Sequence, residues 1–210
     1  MDSLVSIIIP HWNGIDVLSE CLDSLKKTVY PNFEIIVVDN ASTDGSGDWI
    51  KNHHPQIKLI NNDKNYGYAG GCNRGVLHAD GGLIVFLNND TVQDKYWLRN
   101  LVSFINSHPD CAAVQPKILN YYERNRFDYA GGSGGHMDVL CYPFARGRIF
   151  LEQEIDSGQY NNDDRCFWAS GTAMMVQKDL FNTAGKFDET FFSHMEEIDL
   201  CWRFQAMGYQ

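Results

Sequence analysis

Short apolar runs alternate with longer segments of helical spacing through the first half of the chain. The pattern predicts strands at residues 5–10, 33–39, 57–61, 82–87 and 112–117. Between them it predicts helices at about 15–27, from a cap at Ser42 or Thr43 through about 52, around 71–79, and over 95–107. Strands that are apolar on both faces and alternate with helices imply an α/β fold with a mostly parallel central sheet flanked by helices. From about 119 to 165 the rhythm breaks, and this stretch carries Gly131-Gly132-Ser133-Gly134-Gly135. An irregular segment of that length in a compact domain is expected to be functional or mobile. A strand at 173–177, a short helix at 178–184 and a final helix over 193–207 follow, with Gly208 as the C-terminal cap. A further strand is expected after that cap, so the ending suggests a truncated chain.

With 210 residues, 44% hydrophobic and 13% aromatic, the chain can bury one good-sized core, and one domain over 1–210 is expected. The net charge of -10 argues against nucleic acid or an anionic membrane surface as a non-specific partner, although a local basic groove stays open. No apolar run is long enough to span a bilayer. Six scattered cysteines with no C-x-x-C pair fit free thiols in a reducing compartment, hence a cytoplasmic protein.

Asn88-Asn89-Asp90 ends the apolar run of residues 83–87. A strand that stops at a carboxylate and two amides places oxygen ligands at the C-terminal edge of a sheet, where open α/β sheets bind ligands. Mg²⁺ or Mn²⁺ accept such ligands and share them with substrate phosphates. Alone, the triplet favours an ordinary turn. Asp39 closes the second strand before Asn40-Ala41-Ser42-Thr43-Asp44-Gly45-Ser46 and fits either a ribose or base contact or a turn. Ser42 or Thr43 is the better helix cap, which would leave Asp39 free. The glycines of residues 65–75 suit a loop opening a helix that accepts an anion, or simply a flexible turn; the stretch is neither G-x-G-x-x-G nor a P-loop. On the last helix Ser193-x-x-Glu196 fits a capping box and Asp199 can pair with Arg203. Glu197 is left without a local partner, which suits a general base or a solvated first-turn Glu. His11 is isolated, and Trp12 is expected to wall the crevice.

In this order, Val5-Ser6-Ile7-Ile8-Ile9-Pro10-His11-Trp12-Asn13-Gly14, the Asp39 segment, Asn65-Tyr66-Gly67-Tyr68-Ala69-Gly70-Gly71, Leu87-Asn88-Asn89-Asp90-Thr91, Gly171-Thr172-Ala173-Met174-Met175-Val176 and Glu196-Glu197-Ile198-Asp199-Leu200-Cys201-Trp202-Arg203 resemble the family 2 glycosyltransferases of the GT-A fold, especially a bacterial rhamnosyltransferase-like branch. The resemblance spans nearly the whole chain and is weakest over 119–165. It implies a nucleotide-sugar-binding half at 1–118 and an acceptor and catalytic half at 119–210. It places Pro10, Trp12 and Asn13 around the nucleotide and Asp39 on the base, with Asn65, Gly67, Gly70 and Gly71 bordering nucleotide and diphosphate. Asn88-Asn89-Asp90 matches the D-x-D element, with Asp90 on Mg²⁺ or Mn²⁺. Glu197, with Glu196 beside it, falls where the E-D element has its base. Asn88 replaces the first Asp and Glu197 the usual second one. A UDP- or dTDP-sugar donor and a saccharide or lipid-linked saccharide acceptor are implied. So is cell-surface polysaccharide synthesis, with any peripheral membrane association resting on residues outside this sequence. The competing readings are another nucleotide-dependent transferase or oxidoreductase and a domain that binds nucleotide sugar without catalysis.

Overall fold

The computed structural model describes residues 2–209. Four parallel strands, β1 (Val5–His11), β2 (Phe33–Asp39), β3 (Lys58–Asn61) and β4 (Leu83–Leu87), form one side of a six-stranded sheet. In chain order its short strands continue as β5 (Ala113–Val114) and, after two hairpins, β10 (Ala173–Gln177). The sheet order is β3-β2-β1-β4-β10-β5, and β10 runs antiparallel to both neighbours. That reversal matters for the site. The start of β10 pairs with the end of β4, Ala173 opposite Leu87, so residues 170–172 arrive at the same edge as the ends of β1, β2 and β4.

Successive residues of a strand point to opposite faces. Ile7, Ile9, Val37, Val85 and Met175 face helices α1 (Ile15–Leu25) and α4 (Trp97–Ser107). Ile8, Val38, Ile84, Phe86 and Met174 face α3 (Gly67–Val76), α5 (Lys178–Thr183) and α6 (Glu196–Ala206). Both layers are buried, which is why the strands read as continuous apolar runs. Phe86, Phe181 and Phe187 lock the second layer with ring centroids 4.8–5.2 Å apart.

Several expected boundaries move. Helix α2 (Ser46–His53) starts after Gly45, with no side-chain cap, so neither Ser42 nor Thr43 caps it. Helix α3 starts at Gly67, so most of the glycine-rich stretch is helix and not an opening loop. Helix α6 starts at Glu196, which makes Glu196 its first residue and dissolves the expected capping box. The strand expected over 112–117 keeps only two residues. There the Gln115 side chain substitutes for pairing, accepting from Ser170 N at 2.7 Å and donating to Gly131 O at 2.8 Å. Residues 119–165 contain two hairpins, β6–β7 (Gly135–Met137, Pro143–Ala145) and β8–β9 (Arg148–Ile149, Glu152–Gln153). Gly208 ends α6 as expected, with Tyr209 N donating to Phe204 O and Gly208 N to Gln205 O. The six cysteines are unpaired.

Gly75 shows how close α3 lies to the sheet. A Cβ there would sit 2.4 Å from Ile8 Cγ2 and 3.0 Å from Val38 Cγ2. On an open helix Gly→Ala stabilises by about 1 kcal/mol. Here overpacking reverses the sign, and Gly75→Ala is expected to lose about 1–3 kcal/mol. Thermal unfolding checks this: a lower melting temperature is expected, and a higher one contradicts the packing.

Candidate active site

The loops after β1 and β2 are zipped together. Asn13, at φ 56, accepts from Thr43 N through Oδ1 at 2.9 Å, and its own N–H donates to Ser42 Oγ at 2.9 Å. Gly14 N donates to Asp44 Oδ2 at 2.7 Å. Ser42 and Thr43 thus serve this clasp. Asp39 is buried and accepts from Ser42 N at 2.9 Å through Oδ1, so it takes the turn-shaping work that the caps were expected to leave it free of. Trp12 stands 56% exposed beside the clasp, and Pro10 is buried beneath it.

His11 joins this clasp to the end of β4. Its Nδ1 lies 2.8 Å from Asn89 Nδ2 and its Nε2 2.9 Å from Ser46 Oγ. Asn89 Nδ2 can only donate, so Nδ1 accepts and Nε2 carries the proton. The Ser46 hydroxyl in turn donates a hydrogen bond to Asp44 Oδ1. Burial pushes the His11 pKa down against the pull of Asp39 and Asp44, which keeps the ring neutral as this pattern needs. With its amide nitrogen committed, Asn89 has only Oδ1 to offer a ligand.

Asn88 is fixed by its backbone, which donates to Thr172 O at 3.0 Å and accepts from Thr91 Oγ1 at 2.8 Å. Asp90 follows in the turn, exposed, with no hydrogen bond or ion pair to the rest of the described protein. No group of three or more His, Cys, Asp or Glu gathers among the described residues. One free carboxylate and one amide oxygen still fit Mg²⁺ or Mn²⁺, whose remaining positions are filled by diphosphate and water in sites that use one or two carboxylates.

The glycines of α3 serve packing. A Cβ on Gly67 would meet Phe192 O at 2.2 Å, and one on Gly71 would meet Pro10 Cβ and Asn40 Nδ2 at 3.0 Å. Gly70 is crowded by Tyr66 and Arg74. Two of the first N–H groups of α3 are taken, Gly67 N by Asn65 Oδ1 at 2.8 Å and Ala69 N by Phe192 O at 3.2 Å. The structure therefore brings Asn65, Gly67, Gly70 and Gly71 to the same edge, with two of the N–H groups of the helix terminus engaged inside the protein.

The segment leading into α6 is strained. Phe192 (φ 60, ψ -61) makes a γ-turn, Ser193 N donating to Phe191 O at 2.6 Å, and His194 (φ 71) and Met195 (φ 75) follow in the left-handed region. Asn73 holds this approach from α3, donating to Phe187 O at 2.9 Å and accepting from Phe187 N at 3.2 Å. Immediately after the strain come Glu196, only 3% exposed, and half-buried Glu197, each with a buried Oε2 that has no partner. Burial, then the Glu197 charge, raises the Glu196 carboxyl to about 7. Burial also raises Glu197, opposed by nearby backbone N–H groups and His194. The Asp199–Arg203 pair forms as expected, at 2.6 Å.

The sequence reading gave no role to Tyr68, Asn73 or Thr172 and left His11 isolated, whereas all four make contacts that shape the site. The Tyr68 hydroxyl donates to Gly171 O next to the two glutamates. Its spacing of four from Cys72, which also faces Glu196, is a helical signal hidden by the glycines. A cavity of about 720 Å³ lies elsewhere, between α4, β5 and residues 160–166, and includes none of the expected site residues.

A family model described as glycosyl transferase family 2 matches residues 6–181. The O-antigen biosynthesis protein RfbC of Myxococcus xanthus is 30% identical over 213 residues, which cover 97% of this chain and 16% of that protein. Among solved structures, the mannosyltransferase PcManGT from Pyrobaculum calidifontis in complex with GDP-Man and Mn²⁺ superposes with a TM-score of 0.71 at 20% identity, covering 100% of this chain and 54% of that one. GalNAc-T7 with UDP, GalNAc and Mn²⁺ superposes at 0.74 and 15% identity, covering 99% and 41%. These likenesses show the GT-A fold. The chain spans well under two thirds of each of these proteins.

The Glu196 carboxyl carries a stability prediction. Its folded pKa lies above the ordinary 4.5, so its neutral form is favoured by folding. Its contribution is complete below about pH 4.5 and lost as pH rises through about 7. Glu196→Gln is expected to melt several degrees above the native chain at pH 8, with the difference gone near pH 4. Melting curves across that range check it, and a difference that does not change with pH contradicts it.

Proposed function

This chain belongs to glycosyl transferase family 2, and from that premise we propose that it moves a sugar from a nucleotide-diphosphate sugar to a hydroxyl acceptor with inversion, in the presence of a divalent cation. One observation carries the reading: residues 171–172 tie the free carboxylate of Asp90 and the Glu196–Glu197 pair to a single sheet edge. Thr172 O holds Asn88 N, and Gly171 O receives the Tyr68 hydroxyl beside the glutamates. The GDP-Man bound to PcManGT, with the UDP and GalNAc bound to GalNAc-T7, supports a nucleotide sugar as the donor class.

In this reading Trp12 and Asn13, on the clasped loops over Pro10, bound the nucleotide, and Asp39 reads the base with its second oxygen. Asn65 and the α3 residues Gly67, Gly70 and Gly71 form the wall that holds Asn40, Pro10 and Phe192 in place beside it. Asp90 would hold Mg²⁺ or Mn²⁺ with Asn89 Oδ1 beside it, and the cation would supply positive charge opposite the departing diphosphate. Glu197 takes the proton from the acceptor hydroxyl. The acceptor oxygen bonds to the anomeric carbon on the face opposite the leaving group. The bond from that carbon to the diphosphate oxygen breaks, and its electron pair leaves with the diphosphate.

Burial suits Glu197 to this work, because a raised pKa strengthens the base while still leaving it ionised above its own titration. Glu196 is the deeper of the pair, and its neutral form spares Glu197 a second buried negative charge. The division into a donor half at 1–118 and an acceptor half at 119–210, the rhamnosyltransferase-like branch, and a cell-surface polysaccharide made on the cytoplasmic side complete the proposal. Their support is the motif order and the O-antigen relative. Among the described residues no helix is long and apolar enough to cross a membrane.

A panel of UDP- and dTDP-sugars with Mn²⁺ identifies the donor by thermal shift. With that donor, Asp90→Ala is expected to abolish metal-dependent transfer and donor hydrolysis, and full activity would remove Asp90 from the site. Glu197→Gln is expected to lower transfer by about 10²–10⁴-fold while calorimetry finds donor binding unchanged. The same loss in Glu196→Gln, with Glu197→Gln active, would reverse the two assignments. Transfer by native protein should rise with pH through the Glu197 titration, since only the ionised carboxylate accepts the proton.

A further inference from the structure

The two hairpins within 119–165 expose apolar side chains that nothing among the described residues covers. At the β8–β9 tip Ile149, Phe150 and Leu151 project into solvent, Phe150 being 90% exposed. A two-residue connection joins Ile149 to Glu152, and Phe150 occupies its first position at φ 52. Leu151 is not left-handed. This is the type II′ pattern, whose first position favours glycine. An aromatic residue here is disfavoured by local conformation and unrewarded by burial. At the β6–β7 tip the exposed Asp138 carboxylate is engaged by its own turn, accepting from Leu140 N at 2.8 Å and Tyr142 N at 2.9 Å. What faces out is Val139, 98% exposed, with Leu140 and Tyr142.

Charge follows the same division. Residues 139–151 hold Arg146 and Arg148 and no carboxylate, with the exposed Asp138 and Glu152 directly flanking them, in a chain whose net charge is -10. Arg146 is held by Asp164 at 2.6 Å. Arg148 makes no ion pair among the described residues and lies 3.9 Å from the centroid of the Tyr129 ring. Narrow convex tips of aliphatic and aromatic side chains, with arginine behind them and an acidic body beyond, fit a soft apolar interior beneath anionic headgroups better than a flat protein surface. Protruding tips cannot bury much area against a rigid partner, whereas acyl chains close around them.

We propose that the hairpin tips Val139–Tyr142 and Ile149–Leu151 dip into the surface of an anionic lipid bilayer, with Arg148 at the headgroups. The acidic remainder of the chain, repelled by that surface, orients the molecule tips first. This contact uses residues of the chain described here, and it does not depend on the assignments of Asp90 or Glu197.

Co-sedimentation of the full chain with vesicles of phosphatidylcholine, with and without phosphatidylglycerol, tests it. The native protein is expected to bind both, and the mixed vesicles more strongly. Phe150→Gly is the informative variant, because glycine suits the backbone at that position. Its melting temperature should equal or exceed the native value while its vesicle partitioning falls about tenfold. Leu140→Ser should weaken partitioning in the same direction, and Arg148→Gln should remove about fivefold of the preference for phosphatidylglycerol. Native protein that stays in the supernatant with both vesicle types overturns the proposal. So does Phe150→Gly that partitions like native protein. If sedimentation velocity instead finds a native dimer that Phe150→Gly dissociates, the tips bind a second copy and the bilayer reading fails.

Discussion

The antiparallel pairing of β10 with β4 is the constraint on which the site depends. Parallel strands deliver only their C-terminal ends to the ligand edge of an α/β sheet, and the ends of β1, β2 and β4 supply His11, Asp39 and Asn88–Asp90 in that way. A strand of opposite direction delivers its beginning. With Ala173 opposite Leu87, residues 170–172 come to the edge and lie against both the Asn88 backbone and the Tyr68 hydroxyl. A two-residue slip of this register would carry Thr172 about 7 Å along β4 and separate the carboxylate of the β4 turn from those of α6.

The second requirement is a buried acid pair at a helix start, and the surroundings are arranged to tolerate it. Two carboxylates side by side, each with an oxygen lacking a partner, are unfavourable in a folded protein. So are three left-handed non-glycine residues in the four positions just before them. Contacts from α3 offset this: Asn73 on the Phe187 backbone, Ala69 on Phe192 O, and Gly67 shaped to admit that carbonyl. The glycines of α3 are therefore linked to chemistry indirectly. They let a strained segment approach closely enough to be held.

Much of the framework was legible in the sequence. Residues 33–39 and 173–177 form strands with the boundaries their apolar runs give, because a strand buried on both faces has little freedom to be anything else. Helix starts were harder. Ser42, Thr43 and Ser193 all have cap chemistry, yet α2 and α6 begin at Ser46 and Glu196, since tertiary partners claim those segments first: Ser42 bonds Asn13, and residues 192–195 are bent around α3. Glycine misled in the same way, because its local reading is a loop while its use here is close packing. The relay from Asp44 through Ser46 and His11 to Asn89 spans residues far apart in sequence and left no signal in any one segment.

In the proposed site Asp90, beside an Asn89 carboxamide fixed by His11, holds a divalent cation together with a nucleotide diphosphate. Electron paramagnetic resonance of Mn²⁺ titrated with UDP and with dTDP tests it directly on native protein and on Asp90→Ala. Native protein is expected to immobilise Mn²⁺ only when one of these diphosphates is present, and Asp90→Ala is expected not to immobilise it at all. Nucleotide-dependent immobilisation that survives Asp90→Ala would contradict it.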